Sequence, residues 1–341
     1  MKSGAKNGNA RPQPVPQLGS VPDAAPIPGA IPVAPALPSS IRPAPPAVPD
    51  PAAGNRRAVM LMTGSMAAFA FEDALIKTLS TTLPAGQVLA TIGVLGMVVF
   101  WVLLARQGGR LWTRDLLARP VLLRNLGEVV GSMGFVMALA LTDLSSASAI
   151  LQALPLALVL GGALFLGERV GWRRWTAILV GFAGVLMIIR PGTGGFEPRS
   201  VLALIGVAGL ALRDLATRRM PRHILSHQLS ASAFATLIPG GLALALLRGE
   251  ALRLPTPAEA AGFAACITVG VAGYAMMIVA TRVGEASLVA PLRYTRLVFA
   301  LVVAVVVFGE RPDALTLAGA ALIVGSGAFA MWRELRLAGR R

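Results

Sequence analysis

The stretch FLGERV, Phe165–Val170, is followed 142 residues later by VFGERP, Val307–Pro312. Other matching positions have almost the same spacing: Asp73 and Asp214 lie 141 residues apart, and Gly131 and Gly270 lie 139 residues apart. Because such pairs follow one another in order along the chain, they indicate an internal duplication. Further equivalent pairs are Gln87 with Gln228, Gly134 with Gly273, Phe135 with Tyr274, Thr142 with Thr281 and Ser148 with Ser287.

The sequence around these pairs is apolar. Of the 341 residues, 55% are hydrophobic and 14% are charged, and the mean hydropathy is +0.70. Soluble domains carry about 25% charged residues. Apolar runs of about 20 residues, long enough to cross a bilayer, recur from Ala58 to Trp332. Only helices and closed barrels satisfy the backbone in lipid, and runs this long exclude barrel strands. We therefore predict an all-α polytopic membrane protein.

Ten transmembrane helices are predicted, and the duplication divides them into two five-helix repeats at 58–192 and 200–333. A duplicated unit with an odd number of spans must insert its second copy upside down, which gives two inverted-topology repeats. Such repeats favour a site near the midplane that opens to either side in turn. The predicted spans are 58–79, 84–105, 120–141, 146–166, 173–190, 200–217, 228–248, 259–280, 286–308 and 313–332.

The segments outside the spans are rich in proline or in basic residues. Residues 1–55 hold 14 of the 25 prolines, lack the compact apolar region of a secretory signal, and are predicted to form a disordered tail, either inert or protein-docking. Residues 334–341 form a basic C-terminal tail. With both termini in the cytoplasm, Lys and Arg divide 22 to 5 between inside and outside, which predicts that orientation in the cell inner membrane. This distribution explains the net charge of +15 without nucleic acid as a partner.

Three ionisable residues interrupt the first span, in AFAFEDALIKTLS at Ala68–Ser80. A charge at mid-bilayer costs about 2.5–3.5 kcal/mol on the lenient insertion scale, so these groups are expected to face the bundle interior or water. Asp73 and Lys77, at i,i+4, are predicted to pair, while Glu72 points about 100° away. The group is either a packing triad or a site for substrate or protons. The second repeat places Arg213 and Asp214 at the equivalents of Glu72 and Asp73.

The third and ninth spans carry further ionisable groups. Arg124 and Glu128 lie at i,i+4, and they form either a structural pair or a place for a proton carrier. Arg293 and Arg296 lie on one face of the ninth span, and each needs a counter-ion from the protein or from an anionic substrate. Tyr294 could stack on a substrate ring or donate a hydrogen bond, and Pro291 could kink the helix. Gln152, in the related region of the fourth span, is a hydrogen-bonding candidate.

Other motifs point to structure rather than chemistry. The two GER motifs, 167–169 and 309–311, fall at helix ends, where Glu and Arg are expected to pair with each other or with headgroups. No Gly-rich loop ends in Lys-Ser or Lys-Thr, and no catalytic triad, metal cluster or redox motif is present, so we predict neither an enzyme nor a cofactor. His223 and His227 have the spacing of metal ligands but lack a third, and Cys266 has no disulfide partner. A scaffold, a membrane enzyme and a channel are the rival classes.

The sequence resembles the EamA-type transporters of the drug/metabolite transporter superfamily. The resemblance covers almost all of the chain after residue 57, from SSASAILQALPLALVLGGALFLGERV in the first half to GEASLVAPLRYTRLVFALVVAVVVFGERP in the second. The form APLRYTRL is similar to the branch of S-adenosylmethionine and riboflavin uptake carriers, although Leu297 replaces a proline common in relatives. The resemblance implies a carrier of small organic metabolites that needs no ATP. Protons are a candidate coupling ion, and a homodimer is a candidate assembly.

Overall fold

The computed structural model describes residues 51–167, 171–191, 197–220 and 224–338, and within these ranges the regular structure is entirely helical. Ten helices are long and apolar enough to cross a membrane, which confirms the predicted fold class. The α-helices are α1 Pro51–Thr82, α2 Ala85–Arg106, α3 Arg119–Leu141, α4 Leu144–Leu151, α5 Leu154–Phe165, α6 Trp172–Ile189, α7 Val201–Thr217, α8 Ser226–Leu247, α9 Pro257–Val283, α10 Ala286–Val289, α11 Thr295–Phe308 and α12 Ala314–Ala338.

The helix ends differ from the predicted spans by a few residues at most positions. The largest difference is at the start of α1, since the helix begins at Pro51, within the last residues of the predicted disordered tail. Proline is favoured in the first turn of a helix because its missing N–H has no intrahelical acceptor there. The predicted tail up to residue 50, Glu168 and Arg169 of the first GER motif, and His223 lie outside the described residues.

The outer surface of the bundle is apolar. Val306, Phe165 and Leu246 are 74–80% exposed, an arrangement that water would penalise and lipid tails would not. The helices also approach one another closely at small residues, as spans do in a bilayer. A Cβ at Gly209 would collide with the backbone of Gly131, so α7 and α3 touch along their main chains.

Helix pairing follows a pseudo-two-fold axis. Helix α3 packs along α7, and α1 packs along α9; these are equivalent contacts, because α1 matches α7 and α3 matches α9 in the repeat. Two other contacts each join a helix to its own equivalent, α2 with α8 and α6 with α12, and the broken fourth and ninth spans also meet, through α4 and α11. Interlocked halves of this kind are the arrangement of an inverted repeat.

Two glutamines repeat the same contact in the two halves. Gln87, at the start of α2, accepts a hydrogen bond from the backbone N–H of Arg253 at 3.1 Å and donates one to its carbonyl. Gln228, at the start of α8, donates to Thr113 Oγ1 at 3.0 Å and to the carbonyl of Leu111. Each side chain therefore holds the connection that follows the partner helix, α8–α9 or α2–α3.

The fourth and ninth spans are broken helices. Helix α4 stops at Leu151 and α5 starts at Leu154, while a 3-10 turn at Pro291–Tyr294 separates α10 from α11. The 3-10 turn begins at Pro291, the residue predicted to kink this span, because proline cannot donate a backbone hydrogen bond. Gln152 Nε2 donates to the carbonyl of Tyr294 at 3.3 Å, so the two breaks meet through residues that are themselves repeat equivalents.

Two ends of the bundle are named here for reference. The Glu310 end carries the connections at 83–84, 142–143, 190–200, 248–256 and 309–313. The Arg106 end carries the connections at 107–118, 166–171, 218–225 and 284–285, together with the first residue of α1 and the last of α12. The first and last described helices therefore start and finish at the same end.

Candidate functional site

The centre of the bundle holds a bidentate ion pair between the two repeats. Arg296, in the first turn of α11, donates from Nη2 to both carboxylate oxygens of Asp73 at 2.7 Å, and from Nε at 3.1 Å. Asp73 comes from α1, and its side chain is only 3% exposed. The guanidinium also lies 5.4 Å from the ring centroid of Phe69. Fork-shaped pairing of this kind satisfies both groups, so Arg296 has its counter-ion within the protein.

The predicted Asp73–Lys77 pair is therefore wrong. One turn along α1, Lys77 Nζ donates to the carbonyls of Thr142 at 2.5 Å and Leu139 at 3.3 Å. It also lies 3.8 Å from Glu310 Oε1. The last carbonyls of a helix have no intrahelical donors, and the flexible lysine reaches them at the end of α3. The planar guanidinium of Arg296 fits the carboxylate of Asp73 better than an ammonium would.

Glu310 links the repeats at one end of the bundle. Its carboxylate accepts hydrogen bonds from the backbone N–H groups of Leu144 at 2.7 Å and Ser145 at 2.9 Å, which are the first residues of α4. Unpaired N–H groups and the helix dipole make this terminus a natural anion site. The interpretation of the second GER motif as a Glu–Arg or headgroup anchor is wrong, because Glu310 binds the other repeat instead. The equivalent pair in the first motif lies outside the described residues.

Asp143 occupies the N-cap position of α4, yet its side chain makes no cap hydrogen bond. An N-cap aspartate usually accepts the N–H of the second or third helical residue, and Glu310 already takes that of the second, Ser145. Asp143 lines a cavity of about 520 Å³ at the Glu310 end, together with Lys77, Arg190 and Arg311. Partial removal from water, and then the like charge of Glu310, raise the pKa of the Asp143 carboxyl.

The same cavity is bounded by an ion pair between α6 and α12. Arg190, which ends α6 in the left-handed conformation at φ 53°, donates to Asp313. Asp313 also accepts from the backbone N–H of Thr316 at 2.9 Å, and these hydrogen bonds hold its pKa below the ordinary range. The sequence analysis did not select Arg190, Asp313 or Asp143, and it interpreted Glu310 only as part of a helix-end anchor. The repeated GER motif marked Glu310, but its contact with α4 could not be read from the motif.

A second ionic cluster joins α3 to α7. Arg213 Nη1 lies 3.3 Å from Glu128 Oε1, and its Nε donates to Asp214 Oδ1 at 2.7 Å. Arg124 instead donates to the carbonyl of Leu229 at 3.2 Å and to Asn125 Oδ1 at 3.3 Å. The predicted Arg124–Glu128 pair is therefore wrong: Gly127 lets α7 approach so closely that Arg213 reaches Glu128 first. Asp214 keeps 33% of its side chain exposed.

Glu72 lies between α1 and α9. A Cβ added to Gly270 would collide with its carboxylate, so the absence of a side chain at Gly270 makes room for the acid. Among the described residues, Glu72 has no hydrogen-bonding or ion-pair partner. Gly270 is the repeat equivalent of Gly131, and Glu72 is the equivalent of Arg213. The α1–α9 contact therefore holds Glu72 without a described partner, while the equivalent α3–α7 contact holds Arg213 with two carboxylate partners.

Arg293 is the ninth-span arginine for which the described residues provide no ion-pair partner. It lies within electrostatic reach of Asp214, Arg213 and Arg296. No hydrogen bond or ion pair joins its guanidinium to any described residue, and the residue is exposed. The two arginines that the sequence analysis grouped together thus have different environments.

Tyr294 and Gln152 are placed at helix contacts. The Tyr294 ring fills the space left by Gly327 of α12, and its hydroxyl is buried without a partner among the described residues. Gln152 is buried and bound to the Tyr294 carbonyl. Both residues therefore lie where the two broken spans and α12 meet.

Comparison with known proteins identifies the family. The EamA-like transporter family matches residues 56–190 and again 199–332, one match in each half. The pseudopaline exporter of Pseudomonas aeruginosa is 30% identical over 280 residues, covering 78% of this chain and 93% of its own. A riboflavin transporter of Rhizobium johnstonii is 32% identical over 62% of this chain and 71% of its own.

Two further similarities agree with that match. An S-adenosylmethionine uptake transporter of Rickettsia felis is 23% identical over 64% of this chain and 74% of its own. A solved crystal structure superimposes with a TM-score of 0.54 at 22% identity, covering 83% of this chain and 99% of the other, and so supports the fold. With its family model matched twice across both halves, the chain belongs to the EamA-like transporter family and is a multi-pass membrane transporter of small metabolites.

Proposed function

We propose that the chain is a secondary carrier that moves a small organic metabolite by alternating access, with residues 58–192 and 200–333 as the two repeats. The observation that carries this proposal is the Glu310 contact, in which a carboxylate of the second repeat caps a broken helix of the first. Contacts between repeats that consist of hydrogen bonds and ion pairs can exchange for others as the halves move.

The Glu310 end carries the gate in this proposal. Lys77 and Glu310 close it, and Asp143 is the group that replaces Glu310 when the gate opens. An aspartate at N-cap can accept the N–H of Ser145 once Glu310 releases it, so α4 keeps a cap in both states. Two alternative caps for one helix end would give the two stable arrangements that a gate requires. With both termini in the cytoplasm, this gate faces the outside of the cell.

The transport site consists of the charged groups held by α1, α3, α7 and α11. Side-chain exposures of 22% for Arg296 and 27% for Arg213 support access of water to groups that lie inside spans. We assign Glu72 to proton exchange during the cycle, because it is an acid inside a span with no ion-pair or hydrogen-bonding partner among the described residues. Asp73–Arg296 and Glu128–Arg213–Asp214 hold the helices on either side of the site.

Transport by purified protein tests the proposal. A metabolite library that contains S-adenosylmethionine and riboflavin is first screened by thermal shift, since a ligand of the native state raises its apparent stability. The compounds that stabilise the protein are then offered to proteoliposomes, with protein-free vesicles and the Asp73→Asn variant as controls. We expect saturable uptake of at least one compound that the variant loses. A library in which no compound enters above the protein-free level contradicts the proposal.

A further inference from the structure

We propose that Arg293 is the anion subsite of the carrier, and that its solute therefore carries one carboxylate or a similar monoanionic group. This inference rests on the proposed transport function and specifies its substrate class. Arg296 and Arg213 are the nearest other cations, and both already have protein carboxylates. Arg124 donates to the carbonyl of Leu229 and to Asn125, whereas Arg293 has no hydrogen-bonding or ion-pair partner among the described residues and so remains available to a solute.

The surroundings of Arg293 direct it away from lipid. It lies in the 3-10 turn Pro291–Tyr294, directly before α11. The charges of Asp214 and Arg213 on α7 and of Arg296 on α11 lie within electrostatic reach of its guanidinium. The lipid-facing positions of α11, in contrast, are the exposed Val298, Val302 and Val306. The guanidinium of Arg293 therefore belongs to the group of charges inside the bundle.

The charges of the site define what a solute must supply. Asp73 satisfies Arg296, while Glu128 and Asp214 share Arg213. The guanidinium of Arg293 stays charged in a protein interior, and a charge there needs a counter-ion. Among the described residues no carboxylate provides one within ion-pair distance. Arg293 therefore has no direct partner of its own, and a single anionic group of the solute can supply one.

The charges around Arg293 favour a carboxylate over a phosphate as the anionic group of the solute. A carboxylate brings a single charge and two oxygens in the plane that a guanidinium fork binds. A phosphate dianion brings a second charge, for which the neighbouring arginines have no free capacity. Asp214 would repel that second charge, because it is partly exposed and close enough to act on Arg293.

Matched acids and amides test the inference on the purified full-length protein. The probes are benzoate, nicotinate, pyruvate, L-phenylalanine and L-methionine, each paired with its primary amide, and the readout is affinity from thermal-shift titration. We expect at least one acid to stabilise the protein while its amide does not. Arg293→Gln should weaken that binding by roughly ten- to hundredfold, because a charge-assisted hydrogen bond is lost. Arg293→Lys should recover part of the loss, since an ammonium keeps the charge but not the fork.

Arg311→Gln is the control variant. Arg311 is exposed and lines the cavity at the Glu310 end, so its removal costs a charge without touching the proposed subsite. It should bind the acids as the parent does. Arg293→Gln should melt no lower than the parent, which separates lost binding from lost folding. Equal stabilisation by acid and amide, unchanged affinity in Arg293→Gln, or no binding of any acid overturns the inference. If the protein takes up a neutral solute and Arg293→Gln does not change that uptake, the inference is overturned while the proposed transport function stands.

Discussion

Arg296 holds both carboxylate oxygens of Asp73 at 2.7 Å across the boundary between the two repeats. Arg293, three residues earlier in the same span, holds no described carboxylate. One arginine therefore joins α1 to α11, and the other is the residue that we propose for the solute. The two arginines differ in a single partner on α1.

This division predicts opposite effects on stability. Arg296→Gln leaves Asp73 buried without a cation and should lower the free energy of unfolding by roughly 3–5 kcal/mol. Arg293→Gln removes a charge that has no protein partner, so stability should stay equal or rise. Thermal and chemical unfolding of the detergent-solubilised variants measures both. A larger loss in Arg293→Gln than in Arg296→Gln would reverse the assignment of roles.

The sequence predicts which positions matter better than it predicts their partners. Charges at Asp73, Glu128 and Arg296 stand out because lipid penalises them, and the duplication identifies Gln87 with Gln228 before any contact is known. Spacing within one helix suggested Asp73–Lys77 and Arg124–Glu128, and both pairs are wrong. Which side chains pair in a bundle depends on which helices are in contact. Those contacts depend on small residues such as Gly127, and the sequence of a single span does not show which helix packs against it.

The contact between Glu72 and Gly270 predicts a steric effect on transport. Gly270→Ala places a methyl group where the carboxylate of Glu72 lies, so the acid must move. We expect uptake to fall at least tenfold with little change in the amount of protein in the membrane. Gly325→Ala is the matched control, because an added Cβ there meets no atom within 4 Å. Parent-like uptake by Gly270→Ala would exclude Glu72 from the transport cycle.

The alternative caps of α4 predict a pH dependence of the gate. The pKa of Asp143 is raised while Glu310 occupies the cap. A raised carboxyl pKa stabilises that closed state at low pH, and the stabilisation is lost as the pH rises through the raised value. The Glu310 end should therefore open more often at higher pH, and Asp143→Asn should remove this dependence.

Maleimide labelling of Ser146→Cys in a Cys266→Ser background measures that opening, since Ser146 lines the cavity. Thiol reactivity itself changes with pH, so the rate is divided by that of Leu254→Cys, a residue 90% exposed at the same end. A ratio that stays flat with pH, or falls as pH rises, would rule out Asp143 as the alternative cap.

The proposed orientation predicts which end reacts from outside the cell. Leu254→Cys, at the Glu310 end, should be labelled in intact cells by a membrane-impermeant maleimide. Arg110→Cys, at the Arg106 end, should be labelled only after the membrane is opened. Both variants carry Cys266→Ser to remove the native thiol. External labelling at position 110 would place the gate on the cytoplasmic side instead.

Distances at the two ends of the bundle, measured on one protein, test alternating access most directly. Spin labels at Thr81 and Leu315 report on the Glu310 end, and labels at Arg106 and Arg282 report on the other; all four residues are exposed. Electron–electron double resonance should show that Glu310→Gln lengthens the first distance and shortens the second, because loss of the carboxylate weakens the cap that closes the gate. If the two distances lengthen together, or neither changes, the bundle does not alternate and the central claim is wrong.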